Sequence, residues 1–225
     1  MTPVDMDAAL ARLCQRHAEL LEAAGERQAA IEARIAAALP QLIEALQPLY
    51  GHRWDFTWQL ETFVGTAIEA AVARPGHLLE RDAVLPQDWI GGHEQIGGMA
   101  YVDRFAGSIS GLYDRLPHLE RLGVSYLHLM PLFKVPDGPN DGGYAVSSYR
   151  EVAPRLGTMR QLADLARELH DRDMALVVDF VLNHTADDHA WAEAAKAGDK
   201  EKQAFYWVFG DREEVEPFAR HLREI

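Results

Sequence analysis

The most informative stretch of this sequence is residues 175–184, Ala175-Leu176-Val177-Val178-Asp179-Phe180-Val181-Leu182-Asn183-His184. Its first eight residues are almost continuously apolar, which is typical of a β-strand that is covered on both faces in a parallel sheet. Asp179 lies inside this run, and a buried carboxylate is costly unless it is paired. We therefore expect Asp179 to have a partner and interpret it as a buried hydrogen-bond anchor.

The sequence before this strand alternates between strand and helix patterns. Short apolar strands are predicted at Met99–Asp103 and Val124–Met130, and helices at Leu112–Leu122 and Met159–Leu169. This order of strand, helix, strand, helix and strand is the signature of βαβ units, so the sequence predicts an α/β fold with a parallel sheet.

Capping residues and a proline refine the predicted helix boundaries. Thr158 is predicted to be an N-cap and Gly123 a C′ residue, and Pro117 is expected to break its helix in two. After the last strand, a short helix is predicted from about Asp188 to Ala197, followed by the aromatic segment 204–209.

The first part of the chain, to about Gly76, is predicted to be an all-helical bundle. Gly25 separates the first two of three apolar stripes, and residues 74–76 end the third helix. Pro40 should kink the second helix or restart it there, and Pro48 with Gly51 should end it. The stripes do not hold a strict heptad, so a coiled coil for a partner is the less favoured interpretation.

Composition excludes several classes of function. The chain has 225 residues and a formal net charge of −13, so it has no electrostatic reason to bind nucleic acid or an anionic membrane. Cys14 is the single cysteine, which excludes an intrachain disulfide and a zinc site built from cysteines. Residues 1–7 lack a signal-peptide pattern, and no apolar run approaches about 18 residues. We expect a cytoplasmic protein that acts on small molecules.

Two segments could form a binding site at the carboxyl ends of the strands, where parallel sheets place such sites. Asn183 and His184 follow the last strand. The loop Asp141-Gly142-Gly143-Tyr144 is either a plain turn, with Gly at φ > 0, or a functional loop. In the second case Asp141 accepts hydrogen bonds and the Tyr144 ring lies beside it, an arrangement that suits a sugar.

A metal site is the alternative for the segment His184–His189, which contains two His and two Asp within six residues. No third, distant ligand is visible, and Asp187 or Asp188 is explained as a helix N-cap, so we predict no metal. The sequence also lacks a Gly-x-Gly-x-x-Gly motif, a Walker-type loop and a Gly-x-Ser-x-Gly elbow. We therefore predict no cofactor.

Four segments resemble one enzyme family. Asp179–His184 resembles the strand-end signature of the α-amylase family of glycoside hydrolases, and Gly97–Gly107 and Tyr126–Lys134 are similar to its first two barrel strands. Asp141–Arg150 narrows the resemblance to the amylosucrases and related sucrose-acting enzymes. The helical first part matches their N-terminal helical domain in kind.

The resemblance implies a TIM-type (β/α) barrel of eight strands. On this basis we expect an N-terminal helical domain with linker at 1–87, the first three strand-helix units of the barrel at 88–184, and the start of an inserted domain at 185–225. The barrel is then incomplete in this chain, and the inserted domain is truncated.

The resemblance also implies a role for each site residue. Tyr144 should stack on the glucosyl ring, His184 should form a hydrogen bond with a hydroxyl of that ring, and Asp141 should close the base of the pocket, paired with an arginine from a later strand. Asn183 matches a calcium ligand of calcium-dependent amylases, but the amylosucrase branch does not need that metal. Asp179 and Asn183 are therefore expected to be structural residues near the site.

The implied activity is retaining transfer of the glucosyl unit of sucrose to α-1,4-glucan or to water. Retaining hydrolysis needs two carboxyl groups about 5–5.5 Å apart. In this family the nucleophilic Asp and the acid/base Glu follow the fourth and fifth strands, so we expect both beyond Ile225 and an isolated chain without activity.

Three alternatives stay open at this point. The chain could be a non-catalytic helical or sugar-binding remnant, or part of a sucrose hydrolase or α-glucosidase of the same family. A complete metal-dependent hydrolase built on His184 and His189 is the third. The sequence makes no prediction about the oligomeric state.

Overall fold

The chain forms two compact units, Met1–Pro86 and Gln87–Ile225, each with its own apolar core. The computed structural model describes residues 6–85, 89–93, 95–138, 140–211 and 213–219. None of the helices within these ranges has both the length and the apolar character needed to cross a membrane.

The first unit consists of helices, as the apolar spacing predicts. In chain order they are α1 (Met6–Arg16), α2 (Ala18–Ala23), α3 (Gln28–Tyr50), α4 (Phe56–Val72) and α5 (Gly76–Val84), with a 3₁₀ turn at Gly25–Arg27. The predicted stripes meet in one core, whose fully buried members include Leu13, Leu21 and Ile68. The break at Gly25 is confirmed, with a φ of +59°.

The second of the predicted helices differs from expectation at its prolines. Pro40 and Pro48 both lie inside α3, which continues to Tyr50, so a restart of the helix at Pro40 is wrong. Leu39 and Ile43 are buried on either side of Pro40, and this packing stabilises the helix although each proline removes one backbone donor. Gly51 ends the helix and donates its N–H to the Gln47 carbonyl at 2.8 Å.

The second unit is built around a three-stranded parallel sheet in the order β1-β2-β5, where β1 is Gly97–Ala100, β2 is Tyr126–Leu129 and β5 is Ala175–Val178. This confirms the predicted parallel arrangement. A two-stranded antiparallel sheet of β3 (Phe133–Lys134) and β4 (Ser148–Val152) follows β2 and was not predicted.

The helices of the second unit lie between and after these strands. They are α6 (Val102–Ala106), α7 (Ile109–Leu112), α8 (Leu116–Arg121), α9 (Met159–Asp171), α10 (Ala190–Lys196), α11 (Lys200–Gln203) and α12 (Glu216–Ala219). The core of the unit includes the fully buried Leu127, Leu129 and Leu165, which come from β2 and α9.

Local signals in this unit are confirmed. Pro117 lies in the first turn of α8, after a 3₁₀ turn that separates α8 from α7, so the predicted break is present. Gly123 has a φ of +72° and donates to the Glu120 carbonyl at 2.9 Å. Thr158 caps α9 in a reciprocal capping box with Gln161.

All three predicted strands are shorter in the structure, and β2 covers only Tyr126–Leu129 of the predicted Val124–Met130. β1 ends at Ala100, because Val102 already begins α6. β5 ends at Val178, so Asp179 directly follows the strand and its side chain is 21% exposed. The interpretation of Asp179 as a carboxylate buried within a strand is therefore wrong in position, and the residue lies at the strand's carboxyl end.

Candidate functional site

The candidate site lies where the three parallel strands end together. The register pairs Ala100 with Leu129 and Leu129 with Val178, so the carboxyl ends of β1, β2 and β5 are side by side. The next backbone groups continue this alignment: Met130 donates to the Ala100 carbonyl at 3.0 Å, and Asp179 donates to the Leu129 carbonyl at 3.4 Å. Side chains that follow the strands are thereby brought to one edge of the sheet.

Asp179 is the centre of the hydrogen-bond network at this edge. Its Oδ1 lies 2.8 Å from Nε2 of His128, and its Oδ2 accepts a hydrogen bond from the Tyr144 hydroxyl at 3.1 Å. The expectation that this carboxylate has partners is confirmed. Both of its oxygens are engaged, which fits the predicted role as an anchor.

His128 was not among the predicted site residues. It stands next to the end of β2 and pairs in register with Val177, and residues 177 and 179 share one face because side chains alternate along an extended chain. This places the imidazole diagonally across from the Asp179 carboxylate. The signal in the sequence was an ionisable residue within an otherwise apolar strand, the same signal that identified Asp179.

Tyr144 is held as a neutral hydrogen-bond donor. Burial of the ring raises the pKa of its hydroxyl, and the hydrogen bond to Asp179 and the negative charges of Asp179 and Asp141 raise it further. The side chain is half-buried, and its hydroxyl is tied to Asp179, so the ring has a defined orientation.

The loop before Tyr144 is a tight turn with glycine at positive φ, which was one of the two interpretations of its sequence. Gly142 and Gly143 have φ values of +65° and +99°, and a Cβ at position 143 would lie 2.9 Å from the Cβ of Pro131. Gly143 donates its N–H to Oδ1 of Asn140 at 3.0 Å. The turn therefore requires glycine here, and it carries Tyr144 to the strand ends.

Asp141 begins this turn and is exposed. Its backbone carbonyl accepts from the Tyr144 N–H at 3.2 Å. Within the described ranges no arginine is paired with its carboxylate, so the expected arginine partner stays a prediction. The role of Asp141 at the base of a pocket also stays a prediction.

Asn183 and His184 are exposed in the irregular segment after β5. The Asn183 amide nitrogen lies 2.6 Å from Nδ1 of His184. Because an amide N–H₂ only donates, Nδ1 acts as the acceptor, and a neutral imidazole then carries its proton on Nε2. His184 can thus offer a hydrogen-bond donor to a ligand.

The metal alternative required His184 and His189 to act together, and the structure gives them different surroundings. His189 is buried, and its Nδ1 accepts from the Trp191 N–H at 3.2 Å as the N-cap of α10. Asp188 instead accepts from the Ser147 hydroxyl at 2.6 Å. The prediction that Asp187 or Asp188 caps this helix is therefore wrong. Among the residues described, no group of three or more His, Cys, Asp or Glu is arranged to hold a metal ion.

Comparison with known proteins identifies the family. The profile "Alpha amylase, catalytic domain" matches residues 76–223. An oligo-1,6-glucosidase of Bacillus cereus is 34% identical over 112 residues, which are 49% of this chain and 20% of that protein. A trehalose synthase of Pimelobacter sp. is 33% identical over 114 residues, 51% of this chain and 20% of the relative. This chain spans about one fifth of the length of these curated relatives.

Solved structures of a trehalulose synthase, MutB, and of an isomaltulose synthase are also similar to part of this chain. A MutB variant in complex with glucose matches with a TM-score of 0.46 and 32% identity, covering 51% of this chain and 22% of the other. An isomaltulose synthase variant from Erwinia rhapontici matches with a TM-score of 0.48 and 28% identity, covering 55% and 23%. Because the catalytic-domain profile extends over more than half of the residues, the chain belongs to the α-amylase family of glycoside hydrolases and transferases.

Proposed function

We propose that this chain forms the donor-sugar side of an amylosucrase-like enzyme, which transfers the glucosyl unit of sucrose with retention to α-1,4-glucan or to water. The similarity of Asp141–Arg150 to the amylosucrases favours sucrose as the donor. The chain's net charge of −13 is compatible with neutral ligands of this kind.

The observation that carries the proposal is the fixed Tyr144 ring. Its hydroxyl is bound by Asp179, and Asp179 is in turn bound by His128, so the ring orientation is set before any ligand arrives. Stacking against the C–H face of a pyranose benefits from such preorganisation, because less conformational freedom is lost on binding.

In this proposal two exposed polar side chains, His184 and Asp141, supply the contacts to the sugar hydroxyls. His184 offers an Nε2–H donor, and the exposed carboxylate of Asp141 offers acceptors. A sugar hydroxyl both donates and accepts, so a donor and an acceptor beside an aromatic ring satisfy its requirements.

Asp179 is not proposed as the nucleophile. Its two oxygens are occupied by His128 and Tyr144, and a carboxylate that holds two hydrogen bonds is a weaker nucleophile than a free one. We therefore expect the 225-residue chain to bind the glucosyl unit and to leave the glycosidic bond intact.

Ligand-observed saturation-transfer NMR with sucrose tests this function. We expect weak binding, and we expect Tyr144→Ala and His184→Ala each to lower the affinity by about 3- to 10-fold, the equivalent of one lost hydrogen bond or ring contact. Tyr50→Ala and His77→Ala are matched controls, because both residues are exposed and belong to the helical unit.

Two outcomes would overturn the proposal. One is an equal transfer signal from the unaltered chain and from Tyr144→Ala. The other is release of fructose from sucrose by this chain clearly above the His184→Ala background, which would show that its own carboxylates cleave the bond.

An α-glucosidase of the same family is the second candidate. It is favoured by the relatives named oligo-1,6-glucosidase, one of which is 34% identical over 112 residues. Competition between sucrose and isomaltose in the same NMR experiment separates the two. Displacement of sucrose by a lower concentration of isomaltose would favour the glucosidase, and the reverse order would favour the amylosucrase-like enzyme.

A further inference from the structure

We propose that Tyr149 is a positioning residue that holds the Asn183–His184 turn in its sugar-binding conformation, by sharing its hydroxyl proton between two backbone carbonyls of that turn. The inference deepens the proposed function, and it rests on that function only where it assigns a sugar contact to His184.

The turn has few backbone contacts of its own. After β5 ends at Val178, the chain forms no regular element until α10 begins at Ala190. Its backbone is attached to other parts of the chain near the two ends, where Asp179 donates to Leu129 of β2 and Ala186 donates to Val146, before β4, at 3.0 Å. The exposed residues 182–184 lie between these two points.

The Tyr149 hydroxyl bridges this exposed part of the turn. Its oxygen lies 2.5 Å from the Val181 carbonyl oxygen and 3.2 Å from the His184 carbonyl oxygen. The two carbonyls flank Leu182 and Asn183, so one atom ties the chain on both sides of the turn. Since the short contact to Val181 is the stronger one, the bond to His184 is the weaker branch of a three-centre hydrogen bond.

The ring that carries this hydroxyl is held from three sides. Its centroid lies 5.0 Å from that of Phe180, 6.0 Å from that of Phe133 and 5.9 Å from that of His189. Tyr149 itself belongs to β4, which is paired with β3. A side chain of this antiparallel pair thus supports an irregular segment.

Two contacts together then orient His184. Tyr149 fixes the backbone through the carbonyl of residue 184, and Asn183 fixes the imidazole through Nδ1 at 2.6 Å. Burial raises the pKa of the Tyr149 hydroxyl, so it stays protonated and able to donate at neutral pH. Tyr149 acts through His184 and needs no contact with the sugar.

The test is the variant Tyr149→Phe, which removes one oxygen and keeps the ring. We expect the backbone amide of Ala186, which donates to the Val146 carbonyl at the end of the turn, to exchange with solvent about 5-fold faster, the equivalent of about 1 kcal/mol for a lost hydrogen bond, while β2 amides are unchanged. Tyr126→Phe is the matched control, since within the described residues no hydrogen bond of the Tyr126 hydroxyl is seen.

The affinity for sucrose distinguishes a positioning role from a purely structural one, because only a positioning role makes the effect of Tyr149→Phe depend on His184. Tyr149→Phe should weaken sucrose binding in the unaltered chain, but it should have no further effect in a His184→Ala background, because both changes remove the same contact. An equal loss of affinity in both backgrounds would overturn the inference.

Failure of the inference can be told apart from failure of the proposed function. If the unaltered chain binds no sucrose but Tyr149→Phe still accelerates exchange of the Ala186 amide, the positioning role holds and the sugar function is wrong. If exchange of the Ala186 amide is unaffected, the positioning role is wrong whatever the sugar result.

A second measurement needs no variant and covers the case in which Tyr149→Phe does not fold. In the unaltered chain the Tyr149 hydroxyl proton should exchange slowly with water and show a nuclear Overhauser effect to the Val181–Leu182 backbone. Rapid exchange of this proton with water would contradict the proposal.

Discussion

The hydrogen bonds of Asp179 allow a quantitative prediction, because two different donors use the same carboxylate. The variants are His128→Phe and Tyr144→Phe, each of which keeps an aromatic ring and removes one donor. The geometry predicts that the free energy of unfolding of the sheet falls more in His128→Phe than in Tyr144→Phe.

The magnitudes follow from the two distances. His128 Nε2 lies 2.8 Å from Oδ1, within the range of a good bond to a carboxylate, and the side chains of His128 and Asp179 are only 27% and 21% exposed. We assign about 1.5–3 kcal/mol to this bond. The Tyr144 hydroxyl lies 3.1 Å from Oδ2, which is long for an O–H donor, so we assign about 0.5–1 kcal/mol to it.

The assay is native-state hydrogen exchange of the Leu129 and Val177 amides, which reports opening of the parallel sheet separately from the helical unit. Asp179→Asn combined with each variant closes a double-mutant cycle and isolates each pairwise energy. His118→Phe is the control, because His118 is exposed on α8. A larger loss of stability in Tyr144→Phe than in His128→Phe would contradict these energies, and so would two coupling energies that both stay below about 0.3 kcal/mol.

Three further predictions concern other parts of the chain. Gly65→Ala should destabilise the helical unit by about 1–3 kcal/mol in urea unfolding, because a Cβ there would lie 2.5 Å from Cε1 of His17. Adding His17→Ala to this variant should relieve most of the cost. If the stability changes of the two substitutions simply add, the packing of His17 against Gly65 is contradicted. Gly143→Ala should weaken sucrose binding in the NMR titration, because φ is +99° and Pro131 leaves no room for a Cβ; unchanged affinity would show that the turn does not position Tyr144. Burial raises the pKa of the Tyr149 hydroxyl in the folded chain, so its stabilising contribution should be complete below pH about 10 and decline as the pH rises through the raised pKa. The free energy of unfolding in urea, measured from pH 8 to 11, should therefore fall less with pH in Tyr149→Phe than in the unaltered chain. An identical pH dependence in the two proteins would contradict the assignment.

Much of the fold could be predicted from the sequence, because periodicity and capping act locally. The apolar pattern of each strand, the Thr158 cap and the break before Pro117 depend on neighbours within a few residues, and the structure confirms them. Strand ends were less predictable. The apolar run continues past Val178, but the sheet partner β2 ends at Leu129, so β5 has no strand to pair with beyond that point.

The candidate site was predicted only in part, because some of its contacts join residues that are far apart in the chain. The need for a partner at Asp179 follows from its own sequence context, but the identity of His128 depends on the register between strands 51 residues apart. The cap of α10 was assigned to Asp187 or Asp188 from residue preference alone. Asp188 is engaged by Ser147, 41 residues earlier in the chain, and His189 takes the capping position instead.

We propose that the ends of the three parallel strands present one sugar-binding surface made by Tyr144, His184 and Asp141. A crystal structure of this chain with sucrose is the decisive test. We predict the glucosyl ring against the Tyr144 ring at about 3.5–4 Å, and a sugar hydroxyl within about 3 Å of His184 Nε2. A glucosyl unit bound elsewhere, or a Tyr144 ring without sugar at a sucrose concentration that saturates the chain in solution, would contradict the claim.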